Sequence, residues 1–191
     1  MTQRVRTRRI TQIGLMAALV IAGSAARWIV PLGGSDTTFH LGNVMCALAG
    51  ILLGPVGGGL ASAIGSALYD IIFFPAYFAE SWITFLTKGA LGLVVGLVAW
   101  SGGRQGFSPR RNVFASFAGA FTYLVLYLFK VFAWNGLALG GLTPAAAAAP
   151  LVFKLPGSVS NGVLAVIFAP MLATAIQKAL KNAFPRPSQQ K

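Results

Sequence analysis

LGNVMCALAGILLGPVGGGLASAIGSALYDII, residues 41–72, carries one charged side chain, Asp70, and a breaker cluster, Gly54-Pro55-Val56-Gly57-Gly58-Gly59, at its centre. A transmembrane helix needs roughly 20 apolar residues, so the stretch is one broken helix or two short ones. Flanking charge separates these readings, because cytoplasmic loops are enriched in Lys and Arg. The basic residues outside the apolar runs fall into three groups: Arg4, Arg6, Arg8 and Arg9; Arg104, Arg110 and Arg111; Lys178, Lys181, Arg186 and Lys191. Two crossings, with a tight turn at Gly54 to Gly58, place all three groups on the cytoplasmic side. A single crossing strands the middle group outside, so two crossings are expected.

Outward from that stretch, the composition points to a bilayer. Only 9% of the 191 residues are charged, 56% are hydrophobic and the mean hydropathy is +0.74, against roughly 25% charged in a soluble domain. The expectation is an all-α membrane protein: one domain, 1–191, of six transmembrane helices, N-in and C-in, at about 10–30, 41–53, 57–72, 81–100, 113–134 and 151–179. Its place is a prokaryotic plasma (inner) membrane, crossed several times. Small residues Ser24, Ala25 and Ala26 after an Arg-rich start would also suit a signal peptide, but the apolar run spans a full membrane and Arg27-Trp28 reads as its interfacial end. The net charge of +12 does not mark a nucleic-acid partner, since the basic residues sit between apolar runs rather than on one soluble face. The single Cys46 reads as a packed core residue. Pro156 and Pro170 predict kinks or an irregular start in the last span, and the apolar loop Asn135 to Pro150 is expected to lie over a pocket mouth.

Four basic residues remain inside the spans, Arg27, Lys88, Lys130 and Lys154, all in the outer half. Charge there is costly and usually faces a cavity or a partner. Helical spacing aligns Glu80, Thr84 and Lys88 on the fourth span, Tyr123, Tyr127, Lys130 and Trp134 on the fifth, and Lys154, Ser158 and Asn161 on the sixth. These ten are the candidate substrate-binding residues. Arg27 and Lys130 would also serve as snorkelling side chains, Trp28 and Trp134 as belt aromatics, and Asn161 as an interhelical clamp. Asp36, Asp70 and Glu80 either pair with the outer-half lysines or touch polar substrate groups.

Lone His40 cannot make a metal site, which needs at least three ligands; it reads as a loop or lid residue, and no metal or cofactor is expected. Small residues four apart, Ala18 and Ala22 on the first span and Gly59, Ala63 and Ala67 on the third, either pack the bundle or form a docking face. A membrane enzyme would want paired acids, a Ser-Lys or Ser-His pair, or metal ligands; only Ser158 and Lys154, one turn apart, imitate one. A self-sufficient secondary transporter of a small organic anion would want a carboxylate at the midplane, where none of the three acids lies.

Leu41-Gly42-Asn43, Leu53-Gly54-Pro55-Val56-Gly57-Gly58, Gly65-Ser66-Ala67-Leu68-Tyr69-Asp70 and Trp82-Ile83-Thr84-Phe85 with Lys88-Gly89 resemble the substrate-binding S-components of energy-coupling factor (ECF) transporters, the group that includes riboflavin and cobalamin binders. The resemblance implies a six-helix subunit that captures a water-soluble vitamin or precursor from outside, with helices four to six and capping loops one and three. It implies a partner module of one transmembrane coupling protein and two ATPases, docked through an alanine motif that maps to Ala18 and Ala22, with Ala63 and Ala67 contributing. The chain lacks a G-x-x-x-x-G-K-[ST] phosphate loop, so energy comes from elsewhere. Cations favour a carboxylate or phosphate on the substrate, and the tyrosines and Trp134 a planar or apolar body.

Overall fold

The computed structural model describes residues 3–32 and 35–180, with side chains for 7–30, 38–75 and 77–180. Asp36, Arg4, Arg6 and the basic tail Lys181, Arg186 and Lys191 therefore have side chains outside the described set. Helix α1, Gln3–Ala25, leads into a two-stranded antiparallel ribbon, β1 Arg27–Leu32 and β2 Ser35–His40, with Arg27 opposite His40 and Leu32 opposite Ser35. Then come α2, Gly42–Phe73, a 3-10 segment, Pro75–Glu80, and α3, Ser81–Trp100. Helix α4, Pro109–Phe129, runs into a π-helical segment, Lys130–Leu139, and α5, Pro144–Ala179, completes the chain.

Four stretches are long and apolar enough to cross a membrane: Gly42–Phe73, Tyr77–Gly103, Pro109–Leu139 and Pro144–Ala179. Large apolar side chains such as Leu86, Phe114, Phe117, Phe129 and Met171 are more than half exposed. A belt of that size is tolerable only in lipid, so the protein is a multi-pass membrane protein.

Helix α2 is folded back on itself. Gly54 has φ 76° and ψ −174°, a left-handed backbone that side-chain-bearing residues avoid. A side chain on Gly58 would strike the backbone of Gly50, and the Ser62 hydroxyl donates to the Cys46 carbonyl at 3.3 Å. Residues 16 apart meet this way only when two arms run antiparallel. Trp100 fixes the turn from α3 by donating its indole N–H to the Ile51 carbonyl at 2.9 Å. The loop after α3 closes the same end: Gly106 offers its carbonyl to Asn112 at 2.7 Å and to Gln177 at 3.1 Å. Helix α2 also packs on α1 and α5, and α4 lies between α3 and α5.

Two sequence expectations need correction. The first helix does not reach Val30. It stops at Ala25, because Trp28-Ile29-Val30 is an aromatic and β-branched run suited to a strand, and these side chains lie exposed on the ribbon. The ribbon is a local addition to a fold that is otherwise helical, as the all-α expectation has it. The apolar loop shrinks to residues 140–143, since the π segment extends the fifth helix and α5 begins seven residues early at Pro144. There Thr143 accepts the Ala146 N–H at 3.4 Å, and α5 then runs through Pro150, Pro156 and Pro170 without an assigned break.

Gly54→Ala tests the reversal. The left-handed backbone costs an alanine roughly 1–2 kcal/mol, and its Cβ would sit 2.9 Å from the Trp100 ring. Thermal unfolding in detergent should show a clearly lowered midpoint, whereas Gly14→Ala, with open space around it, should leave the midpoint unchanged or raise it.

Candidate functional site

At the end of the bundle opposite Gly54, the ribbon, the last turns of α2, the 3-10 segment, α3, α4 and α5 enclose a cavity of two adjoining lobes. One, ≈ 170 Å³, is lined by Ser24, Arg27, Thr38, His40, Ser66, Tyr69, Asp70, Phe74, Tyr77, Thr84, Lys88, Tyr123, Tyr127 and Lys130. The other, ≈ 360 Å³, shares Arg27, Thr38, His40, Phe74, Tyr77, Tyr123 and Tyr127 and adds Ile29, Lys154, Gly157, Ser158 and Asn161. All four cations stranded by the sequence pattern therefore reach one cavity. Eight of the ten candidate residues line it: Thr84, Lys88, Tyr123, Tyr127, Lys130, Lys154, Ser158 and Asn161.

Three of these cations are held in different ways. Lys88, 6% exposed on α3, donates to Asn43 Oδ1 of α2, and its ammonium lies 4.1 Å from the centroid of the Tyr123 ring. The Arg27 guanidinium stacks over Phe74 at 3.5 Å, in the lobe that Tyr69 also lines. Lys130 forms an ion pair with Glu80. Aromatic rings fill the spaces between: Tyr123 stacks on Tyr127 with centroids 5.8 Å apart, and Phe74 lies 5.5 Å from Tyr69 and 6.2 Å from Tyr77. Asp70 and Thr84 share the cavity wall.

Two candidates stand away from it. Glu80 is occupied by Lys130 and by the Asn135 amide. Trp134 packs edge-on against Trp82 at 5.3 Å, lining an apolar groove on the lipid-facing side. The stripe Tyr123, Tyr127, Lys130, Trp134 assumed α-helical turns. The π segment beginning at Lys130 has wider turns, which swing Trp134 off that face. Ser158 donates its hydroxyl to the Lys154 carbonyl at 2.9 Å, so it is engaged with backbone rather than with an amine, as a Ser-Lys pair would require. Among the described residues no group of three His, Cys, Asp or Glu gathers to hold a metal.

Asn161 grips the ribbon. Its Oδ1 accepts the His40 N–H at 2.9 Å and its Nδ2 donates to the Thr38 carbonyl at 2.8 Å. His40 in turn accepts the Gly42 N–H on Nδ1 at 3.1 Å, capping the first turn of α2, whose amides have no helical partner. Sequence reading left Tyr69, Phe74 and Tyr77 out of the site and offered Asp70 only as a partner of the lysines or of polar substrate groups, because no helical stripe was traced through the third span and the loop after it. The aromatic density of Tyr69 and residues 73–78 was the available signal.

Ala18 and Ala22 are exposed on α1, with exposed Leu15 and Leu19 beside them. Ala63 and Ala67 are 3% and 9% exposed, and Ala63 faces Gly89 of α3. They pack the bundle, which corrects the expectation that they extend the α1 face.

Two predictions rest on the ribbon's anchors. Asn161→Ala removes two hydrogen bonds, about 1–3 kcal/mol together, and hydrogen exchange should show faster exchange at His40 than in the wild type, with α3 unaffected. Burial, then the nearby Lys88 and Arg27 charges, hold the His40 imidazole well below its ordinary 6.5. The unfolded chain therefore takes up this proton first, and stability declines as pH falls through and below that ordinary value. Thermal midpoints measured from pH 7.5 to 5 should drop in the wild type and drop less in His40→Asn.

Residues 4–178 match the family described as ECF-type riboflavin transporter, S component. Shorter stretches are similar to individual proteins. One is 36% identical over 67 residues to an uncharacterized protein in the gap 3′ region of Pyrococcus woesei, covering 35% of this chain and 43% of that one. Another is 32% identical over 93 residues to a UPF0397 protein of Exiguobacterium sp., covering 49% of each. A third is 38% identical over 71 residues to the putative fused nickel transport protein NikMN of Archaeoglobus fulgidus, covering 37% of this chain and 22% of that protein. The chain spans about half the length, or less, of these relatives. A family match across nearly the whole chain, on a bundle of apolar helices with one polar cavity at its end, means that the chain belongs to the ECF-type riboflavin transporter S-component family, whose members are substrate-binding transporter subunits.

Proposed function

We propose that this subunit captures a water-soluble vitamin or vitamin precursor in the two-lobed cavity, for ATP-driven uptake by a separate energising module of one transmembrane coupling protein and two ATPases. The observation that carries the reading is the convergence of Arg27, Lys88, Lys130 and Lys154 on that cavity. Cations in a desolvated site favour a carboxylate or phosphate. The surrounding tyrosines and Phe74 favour a planar ring.

Orientation follows from charge. The turn at Gly54, the loop carrying Arg104, Arg110 and Arg111, and the end of α5 with Lys178 gather at one end of the bundle. Basic loops stay cytoplasmic, so six crossings with both termini inside, in a prokaryotic plasma membrane, open the cavity outward. The face of α1 bearing Ala18 and Ala22 is the docking site for the coupling protein, because small exposed residues let a partner helix approach closely.

Native mass spectrometry of the purified protein should find one small molecule retained, with an anionic group and a ring, and no conversion of it on incubation. Protein that purifies folded and empty from cells supplied with vitamins would overturn the capture reading. Ala18→Trp should leave that molecule bound while abolishing co-purification of the coupling protein; undiminished co-purification would place the docking face elsewhere.

A further inference from the structure

The cavity's two α3-side lysines differ in one respect that bears on what they can bind. Lys130 is neutralised by Glu80, so that pair brings no net charge to the cavity. Lys88 is not neutralised. Among the described residues no carboxylate oxygen lies within 4.0 Å of it, and its hydrogen-bond partner is the neutral amide of Asn43. Asp70 lines the same lobe but makes no ion pair with Lys88.

Asn43 is wholly buried, and its donor half, Nδ2, has no partner among the described residues. An ammonium has three N–H donors, of which Asn43 takes one. This corner of the site thus holds donors in excess of acceptors, with Ser66 beside it on the wall. Lys88 also lies about two helical turns past the start of α3 at Ser81. A buried donor without an acceptor is unfavourable, and an anionic group entering the cavity supplies what is missing.

We propose that Asn43 is a specificity-determining positioning residue: by holding Lys88 through a neutral amide it keeps one cation uncompensated in the depth of the cavity, so that a carboxylate or phosphate enters first and rests on Lys88. This rests on the capture reading and adds the orientation and the group that sets charge preference. The aromatic body of the substrate then lies between Tyr123 and Tyr127 on one side and Phe74 and Tyr77 on the other. Aspartate at position 43 has the same shape as asparagine, but it would pair with Lys88 and cancel the charge the site uses.

The test uses the full chain in detergent, with inorganic phosphate as the probe at constant ionic strength. A ligand that binds only the folded state raises the unfolding midpoint. The wild type should show a saturable rise; Asn43→Asp and Lys88→Gln should show none. Asn43→Thr, which keeps a neutral oxygen near Lys88, should retain the rise. A phosphate response in Asn43→Asp equal to that of the wild type overturns the proposal, as does its loss in Asn43→Thr. Wild-type protein that retains a small molecule on purification yet ignores phosphate refutes the orientation and leaves capture standing. Absence of both refutes both.

Discussion

A lysine ammonium enclosed by helices is the constraint around which the cavity end of this protein is arranged. Removing a cation from water costs far more than a single hydrogen bond returns, so Lys88 has to be met from several sides at once. Asn43 meets it from the start of α2 and the Tyr123 ring from α4. Both contacts require α2 and α4 to lie close against α3. Glycines on α3 allow this: a side chain at Gly92 would collide with Gly58 and Ser62. Close packing of backbones and the placing of one charge are thus the same piece of geometry.

The folded α2 supplies the wall that makes a cavity possible. Its two arms turn at Gly54 and put Asn43 and Asp70, 27 residues apart in sequence, at the same end of the bundle. A straight 32-residue helix would separate its ends by about 48 Å at 1.5 Å per residue, and the site would not exist. The ribbon completes the enclosure through main-chain bonds to Asn161, so a side chain of α5 holds a segment that follows α1. Neutral His40 belongs to this arrangement. A protonated ring would lose its acceptor for the Gly42 N–H and add a third positive charge beside Arg27 and Lys88.

Much of this was legible in the residues. Charges without a snorkelling route, Lys88 above all, marked the interior, and helical spacing set Thr84, Lys88, Tyr123 and Tyr127 on cavity-facing sides. What failed did so for local reasons. Trp28-Ile29-Val30 is as apolar as a helix end, and hydropathy alone cannot separate that from an exposed strand. Trp134 was misplaced because an α-helical period was extended through π-helical turns. Ala63 and Ala67 follow the same small-residue spacing as Ala18 and Ala22. Spacing tells which residues permit close approach, but only the packing tells whether the approaching helix is a neighbour within the fold.

That last distinction gives α1 its particular character. One side, with Met16, Ala17 and Val20, is buried against the bundle, and a side chain at Gly65 would strike the Ala17 carbonyl. The opposite side carries the exposed alanines. Ser24 and Arg27, two and five residues beyond Ala22, belong to the cavity wall. A partner helix seated on Ala18 and Ala22 would therefore bear on an element whose end holds Arg27 against Phe74. Any shift of α1 along its axis would displace that guanidinium and the ribbon behind it, whereas Lys88, fixed between α2 and α4, would stay. Under the proposed docking, force applied at that face would be directed to the wall of the cavity rather than to its depth, and the wall is the part that would have to move for a bound solute to leave.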